Sequence, residues 1–166
     1  ANTGTGFTAS SIHCTPTITG NTISGYQYPL LISDGASPTY TGNTVTGCIF
    51  QGIGLSGTFY HDYTLTSGYK YGVEGNLYIG GSTFTIPSGL TVDLTRGYIY
   101  VYTSNPNTFD QNDTAKLNAT NVTFTVQTGS SNYIWFSGAY ANYTDYYAEG
   151  TLSNCTFRNV NVGCSD

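Results

Sequence analysis

The sequence predicts an all-β domain, an antiparallel β-sandwich preceded by an extended N-terminal tail. Three runs between positions 69 and 126 alternate apolar and polar residues, which is the pattern of half-buried strands. Glycine, proline and asparagine separate these runs and are typical of tight turns. No segment shows the spacing of an amphipathic helix. We therefore interpret the middle of the chain as an antiparallel meander that the remaining segments cover.

The other elements follow in chain order. Residues 1–13 are rich in glycine and threonine and are predicted to be a tail outside the sandwich domain of residues 14–166. Residues 49–55 are predicted to form a strand whose glycines permit a bulge. The apolar tetrad at residues 133–136 is predicted to be a central strand, and residues 151–162 are predicted to be the last one.

A second fold, the right-handed parallel β-helix, stays open because one phrase recurs. Residues 19–25 (TGNTISG) are echoed by residues 41–47 (TGNTVTG), 22 positions later. This spacing is close to one coil of such a helix. The next comparable phrase, at residues 75–77, lies 33 positions further on. Since a solenoid is expected to keep its period, we favour the sandwich and retain the β-helix as the alternative.

The composition excludes several classes of partner. Charged residues make up 8% of the chain and aromatic residues 15%, which favours a folded chain over a disordered one. The net charge is −5 with only four Lys and Arg residues, too few for a surface that tracks phosphates. No window is apolar over the length that spans a bilayer. We expect neither nucleic-acid binding nor direct membrane insertion. The absence of methionine and of Asn-Gly and Asn-Ser pairs favours a thermostable protein.

The four cysteines are Cys14, Cys48, Cys155 and Cys164, and they lack the spacing of a zinc site. An even number of cysteines in a chain rich in threonine and asparagine favours disulfides and an oxidising compartment. Three pairings are open, and the favoured one joins Cys14 to Cys48 and Cys155 to Cys164. The alternative is four buried free thiols.

Five N-x-[ST] sequons mark candidate N-glycosylation sites. Their asparagines are Asn112, Asn118, Asn121, Asn142 and Asn154. Asn121 and Asn154 are the best placed, because strand alternation directs both away from the apolar faces of their strands. Sequons and cysteines together indicate a secreted protein outside the cell or at its surface. The chain starts at Ala1, as a mature chain does after removal of a signal peptide.

Few side chains suggest catalysis, and we predict that the chain is not an enzyme. His61 and Asp62 lack the nucleophile context of a Ser-His-Asp site. Glu74 and Glu149 are a candidate glycosidase pair, but each stands alone in a Gly- and Tyr-rich context. Residues 110–114 space oxygen ligands like the start of a calcium loop and lack the glycine and glutamate that complete an EF-hand. We expect no cofactor and no metal, with a looser calcium site as the alternative.

In its size, composition, sequons, loose N-terminal segment and Cys14…Cys48 spacing, the chain resembles the archaeal thread-type surface pilins. The resemblance implies an Ig-like, pilin-like sandwich in a glycosylated extracellular filament that serves adhesion or cell-surface contact. It also implies donor-strand complementation, in which the tail of one subunit completes the sheet of the next. Phe7, Ala9 and Ile12 would be the contacts of this donor strand. The partner would be a second copy of the chain, added head to tail.

Two other functions are compatible with the same composition. A secreted carbohydrate-binding or adhesin domain would present exposed aromatic residues in a row, and the chain has 16 tyrosines. A β-helical protein that acts on polysaccharides would have a cleft lined with carboxylates, whereas the nine acidic residues do not cluster in the sequence. Surface glycans are the candidate partner in both cases.

Overall fold

A computed structural model of the chain describes residues 4–103, 114–141 and 144–165. Over these ranges the secondary structure is β-strand joined by turns, with no helix and hence no helix that could cross a membrane, and the all-β prediction is confirmed. The strands are β1 (Thr5–Ser10), β2 (Thr17–Thr19), β3 (Thr22–Ser24), β4 (Tyr28–Ser33), β5 (Thr39–Thr41), β6 (Thr44–Thr46), β7 (Ile53–Phe59), β8 (Tyr63–Thr64), β9 (Tyr71–Gly80), β10 (Thr83–Ile86), β11 (Thr91–Tyr102), β12 (Ala115–Thr120), β13 (Thr123–Thr125), β14 (Asn132–Ser137), β15 (Ala139–Ala141), β16 (Thr144–Tyr146), β17 (Ala148–Ser153), β18 (Thr156–Arg158) and β19 (Val160–Ser165).

The predicted antiparallel sandwich is wrong, because the strands pair in parallel. The major sheet has nine strands, in the order β1-β4-β7-β9-β11-β13-β18, with β14 beside β11 and β19 beside β14. Every pair in it is parallel. The minor sheet, in the order β17-β12-β10-β8, is parallel as well. Among the described strands only β15 and β16 form an antiparallel pair. This arrangement is compatible with the alternative, the parallel β-helix.

The first five coils each contribute one strand to the major sheet, and the last two contribute two each, β13 with β14 and β18 with β19. The chain then returns through short strands. In the first two coils the return runs through β2–β3 and β5–β6, which pair with each other in parallel. From β8 onward it runs through the minor sheet. The path from β1 to β18 has seven strands, and neighbouring strands lie about 4.8 Å apart, so the stack is roughly 30 Å long.

Coil length varies along the stack, and this variation breaks the period of the sequence. Thr17 pairs with Thr39, 22 positions later. Phe84 in the minor sheet pairs with Leu117, 33 positions later. Thr123 in the major sheet pairs with Thr156, also 33 positions later. Stacking preserves the register of the strands while the connections change length, so the β-helix does not require a constant period.

The recurring TGNT phrase forms a ladder at one corner of the first two coils. Asn43 Oδ1 accepts hydrogen bonds from the backbone N–H of Asn21 at 2.9 Å and from Asn21 Nδ2 at 3.0 Å. Asn43 Nδ2 donates to the carbonyl oxygen of Ile18 at 2.8 Å. Before the two asparagines, Gly20 and Gly42 have φ values of 67° and 65°, which glycine adopts without steric cost. The phrase therefore recurs because the same corner is built twice.

Replacing Asn43 with alanine removes both the acceptor and the donor that bridge these coils. The change leaves a part-buried N–H of Asn21 and the carbonyl of Ile18 without their partner, so we expect a loss of about 1–3 kcal/mol in unfolding free energy. Urea denaturation measures it, with Thr44→Ala at the exposed neighbouring position as the control. Equal stability of the two variants would show that the ladder contributes nothing.

The core consists of columns of inward side chains, with one residue from each coil. One column, which we call the phenylalanine column, runs through Phe7, Leu30, Ile53, Tyr71, Val92, Phe124 and Phe157. Phe124 is fully buried and its ring stacks on that of Phe157, with centroids 5.4 Å apart. The two ends of the column, Phe7 and Phe157, are each 37% exposed. The apolar core therefore runs the length of the stack and reaches the surface at both end coils.

The N-terminal segment differs from the predicted tail. β1 pairs with β4 of the same subunit, so that Phe7 lies opposite Leu30 and Ala9 opposite Ile32. Ala9 is fully buried, while Ile12 is 37% exposed. Residues 5–10 thus belong to the first coil of their own subunit and are not free to act as a donor strand.

Candidate functional site

The outer face of the major sheet carries a group of aromatic side chains. Side chains alternate along a strand, so the residues next to inward core positions of β9, β11 and β14 point outward. The register places Tyr78, Tyr100 and Trp135 in one row across these three strands. We call the whole group the aromatic face: Tyr60, Tyr78, Tyr98, Tyr100, Tyr102, Tyr133 and Trp135. Tyr60 is exposed and the other six are half-buried.

Neighbouring rings of the aromatic face contact one another. Tyr98 and Tyr133 are stacked with centroids 4.5 Å apart. Tyr78 meets Tyr100 nearly edge-on at 6.1 Å, and Tyr133 meets Trp135 edge-on at 6.4 Å. Such pairs contribute about 0.5–1.5 kcal/mol each beyond the area they bury. The contacts fix the rings in place, so the face is held in one arrangement before any partner arrives.

Two pairs of hydroxyl groups on this face are linked, Tyr78 with Tyr98 and Tyr60 with Tyr102. The Tyr78 and Tyr98 hydroxyl oxygens lie 3.0 Å apart. This hydrogen bond, together with burial, raises the pKa of Tyr98 above its ordinary value. Burial and the neighbouring Tyr60 hydroxyl raise the pKa of Tyr102 to about 12. Tyr98 and Tyr102 are therefore protonated at physiological pH and offer hydroxyl groups without charge.

Two shallow depressions lie on either side of Tyr100. The first has a volume of about 400 Å³ and is lined by Tyr100, Tyr133, Trp135 and Asn161. The second has a volume of about 310 Å³ and is lined by Thr58, Tyr78, Tyr100 and Tyr102. Both volumes fall within the range of about 300–1,000 Å³ that is typical of small-molecule sites. None of these lining residues is charged.

A third cavity, of about 440 Å³, lies near the other end of the strands and is lined in part by Gln27, Asp93 and Arg96. Arg96 donates hydrogen bonds to both carboxylate oxygens of the adjacent Glu74, at 2.5 and 3.1 Å. Gln27 Nε2 also donates to Glu74 Oε2, at 2.7 Å. Partial burial opposes ionisation of Glu74, but these hydrogen bonds outweigh it and lower the pKa of that carboxyl. Glu74 is therefore ionised and saturated with donors, unlike a catalytic acid.

The candidate glycosidase pair is not assembled. Glu149 lies in β17 on the minor sheet, where it forms an ion pair with Lys116 at 3.2 Å, whereas Glu74 lies in β9 on the major sheet. Asp62 accepts a hydrogen bond from the backbone N–H of Thr83 at 2.8 Å and so joins two coils. Residues 110–113 of the candidate calcium loop lie outside the described residues. Within the described ranges, no three His, Cys, Asp or Glu side chains are grouped to hold a metal.

Three of the five sequon asparagines are described, and Asn112 and Asn142 lie outside the described residues. Asn121 and Asn154 are exposed and occupy the same turn in successive coils, with φ values of 52° and 51°. Asparagine tolerates this left-handed conformation better than most residues. Asn118 is half-buried and points outward from β12, because its two neighbours in the strand are buried.

The predicted disulfides are not present: all four cysteines lie within the described ranges and are free thiols. Cys14 follows β1, whereas Cys48 comes just before β7, at the opposite end of the strands of the major sheet. A strand of six residues such as β1 is roughly 20 Å long at about 3.3 Å per residue. The Cα atoms of a disulfide lie within about 7 Å of each other. The favoured pairing of Cys14 with Cys48 is therefore excluded.

The second pairing is excluded for the same reason. Cys155 precedes β18, which aligns with the start of β11, and its Sγ lies 3.5 Å from the carbonyl oxygen of Ala119. Cys164 lies in β19 opposite Phe136, which aligns with Val101 near the end of β11. The two cysteines thus lie near opposite ends of a long strand, roughly 30 Å apart. The extracellular location stays a prediction, which is based on the sequons.

The end coils, β1 at one end and β18–β19 at the other, are the second candidate surface. Within the described residues, β1 pairs only with β4, β18 only with β13 and β19 only with β14. Exposed large hydrophobic residues concentrate here: Phe7, Ile12, Phe157 and Val162 lie on the end coils, and Ile49, Tyr60 and Tyr147 lie elsewhere. Both end coils therefore present unpaired backbone groups beside apolar side chains, the combination that recruits a further strand.

Comparisons of this chain with models of protein families, with curated proteins and with solved structures find no match. The geometry of the two surfaces is therefore the basis for assigning a function. A row of exposed aromatic residues was one alternative for the 16 tyrosines in the sequence, but sequence reasoning did not identify which of them form the aromatic face. It had no signal for the correspondence between Phe7 and Phe157, which only the strand register reveals.

Proposed function

We propose that this chain is a structural, non-catalytic subunit of a filament in which copies stack end to end. The observation that carries the proposal is the match between the end coils. Phe7 and Phe157 terminate the same core column. Within the described residues, β1 and β18 each have one edge without a strand partner, at opposite ends of the same parallel sheet. A second copy placed below β18 would continue both the sheet and the phenylalanine column.

Contact between two copies gives each end coil a strand partner and an apolar neighbour. Pairing β18 with β1 of the next copy satisfies unpaired N–H and C=O groups, and each hydrogen bond contributes about 1 kcal/mol net. Phe157 and the next copy's Phe7 would bury exposed area against each other, in a ring contact like the one between Phe124 and Phe157 within the chain. Because the two surfaces differ, the contact is head to tail and propagates as an open filament. Coil stacking replaces donor-strand exchange in this assembly.

The assembly test uses variants at both ends of the column. Phe157→Asp and Phe7→Asp each place a charge in the stacked contact, so we expect neither variant to form filaments alone in negative-stain images or sedimentation. Ile49→Asp is the matched control, since Ile49 is 61% exposed but lies away from the end coils. In an equimolar mixture, the intact Phe7 end of the Phe157→Asp variant can bind the intact Phe157 end of the Phe7→Asp variant. The other two ends carry a charge, so assembly should stop at a dimer. Dispersed wild-type particles, or normal filaments from Phe157→Asp, would refute the proposal.

We also propose that the filament is extracellular and glycosylated, on the strength of its sequons. In material from the native source we expect glycans on Asn121 and Asn154, because both asparagines are exposed at a corner of the coil. Glycopeptide mass spectrometry measures occupancy. Asn159 provides an internal control, since it is an exposed asparagine with φ 59° but has no sequon. Unmodified Asn121 and Asn154 would contradict the glycoprotein assignment without affecting the stacking proposal.

A further inference from the structure

We infer that the aromatic face binds a neutral polysaccharide chain, with one sugar subsite on each side of Tyr100. This inference does not depend on filament assembly. It rests on how the rings are placed, on the shape of the two depressions and on the absence of charged residues from their lining.

The closeness of the rings to the sheet favours a flat binding surface over a packed aromatic cluster. Trp135 lies over Gly163 of β19, where an added Cβ would come within 2.6 Å of its ring carbon Cε3. An added Cβ at Gly80 of β9 would lie 3.1 Å from the ring of Tyr60 and 3.4 Å from that of Tyr102. The two glycines thus leave room for rings to lie close to the sheet. A ring that lies close to the sheet can present a flat face to a ligand, and the C–H groups of a sugar ring stack against such a face.

The depressions give each sugar a stacking surface and a polar group. Tyr100 forms a wall of both. On one side Trp135 supplies a ring and Asn161 an amide, and on the other side Tyr78 supplies a ring and Thr58 a hydroxyl. An apolar surface with a few fixed polar groups is the usual composition of a small-molecule site. The combination suits a sugar ring, which has apolar C–H faces and hydroxyl groups around its edge.

The arrangement of the subsites favours a linear chain over a single sugar. The lining residues follow one another on β7, β9, β11, β14 and β19, which are neighbouring strands of the major sheet. Strands are spaced about 4.8 Å apart, so the two depressions follow each other along the axis of the stack. A polysaccharide lying along this axis would place successive sugars on the two sides of Tyr100.

The lack of charged lining residues favours a neutral ligand over an acidic one. The residues that line the two depressions include no Lys, Arg, Asp or Glu. An acidic polysaccharide or a nucleic acid would require cations at this surface, and a basic peptide would require carboxylates. A neutral glycan requires neither, and the phenol groups supply hydrogen bonds without a charge.

Trp135 makes the binding test specific to this site, because it is the only tryptophan of the chain. Fluorescence titration would use cellohexaose, laminarihexaose, mannohexaose and maltohexaose, with an oligogalacturonate as the acidic probe. We expect saturable quenching or a blue shift with at least one neutral probe and none with the acidic one. No response to any neutral hexasaccharide, or a response to the acidic probe alone, would overturn the inference.

Variants separate ring stacking from other causes of a fluorescence change. Tyr100→Ala removes the wall shared by both subsites and should weaken binding about tenfold. Tyr100→Phe keeps the ring and should stay within about threefold of wild type. Tyr147→Ala removes a tyrosine that is 56% exposed and lies outside the aromatic face, so its affinity should be unchanged. Tyr133→Ala serves as a second test if Tyr100→Ala does not fold. Unchanged affinity in a folded Tyr100→Ala or Tyr133→Ala variant would contradict the assignment.

The same titration in a Phe157→Asp background keeps the two proposals apart. This variant removes the end contact but leaves the aromatic face intact, so we expect wild-type affinity for the neutral probe. Binding that disappears with assembly would mean that the site is formed between copies, and the assignment of both subsites to one chain would be wrong.

Discussion

Gly97→Ala should destabilise the protein more than any other single methyl addition that we consider, by about 3 kcal/mol or more. Gly97 in β11 lies opposite Gly75 in β9, beside a register shift between Asp93 and Arg96. An added Cβ would overlap the Gly75 carbonyl oxygen, and would lie 2.6 Å from its carbonyl carbon and 2.8 Å from Val73 Cγ1. Because the obstacle is the backbone of the adjacent coil, a side-chain rotation cannot relieve it.

Gly75→Ala is the matched control on the facing strand. Gly75 has φ 71° and no heavy atom within 4 Å of the position a Cβ would take, so its cost is the left-handed backbone alone, about 1–2 kcal/mol. Thermal and urea unfolding of both variants measure the difference. If Gly97→Ala is no less stable than Gly75→Ala, then β9 and β11 do not approach as closely as the parallel register requires.

Phe124→Ala should cost about 3–5 kcal/mol of unfolding free energy. Phe124 is fully buried in the phenylalanine column, between Val92 in one coil and Phe157 in the next. Truncation leaves a cavity between stacked coils, and the strand spacing prevents its collapse.

Phe157→Ala tests the same column at its exposed end. Because this ring is already 37% exposed, we expect a smaller loss of about 1–2 kcal/mol in the isolated subunit. Phe157→Ala should mainly weaken the assembly of subunits into filaments. Equal stability losses in the two variants would contradict the assignment of Phe124 to the interior and Phe157 to the end coil.

The strands of this fold could be predicted from the sequence, but their partners could not. Alternation in residues 69–126 correctly indicated strands, because it reports which side chains face the core. It carries no information on whether the next strand runs parallel or antiparallel. One available signal was the run Tyr28–Ser33, in which apolar residues are nearly continuous and five of six are buried. Such runs are typical of parallel sheets. The 22-residue echo did locate the first two coils.

The errors at the candidate sites have the same origin. The favoured pairing of Cys14 with Cys48 requires residues that are close in sequence to be close in space as well. A coil instead separates such residues by the length of a strand and brings together residues one coil apart, as it does for Asn21 and Asn43. The aromatic face and the match of Phe7 with Phe157 likewise depend on register across several coils. Local composition cannot supply that register.

The axial rise of the filament tests the stacking account most directly. Seven strands lie on the main path of the major sheet, and at about 4.8 Å per strand a continuous stack predicts a rise of roughly 34 Å per subunit. Helical reconstruction from electron micrographs of the wild-type filament would give this value, and strands perpendicular to the axis would add a meridional reflection near about 4.8 Å. A rise close to roughly 34 Å with that reflection is the expected result. A clearly longer rise, with subunits joined by an extended segment, would contradict coil stacking and restore donor-strand exchange.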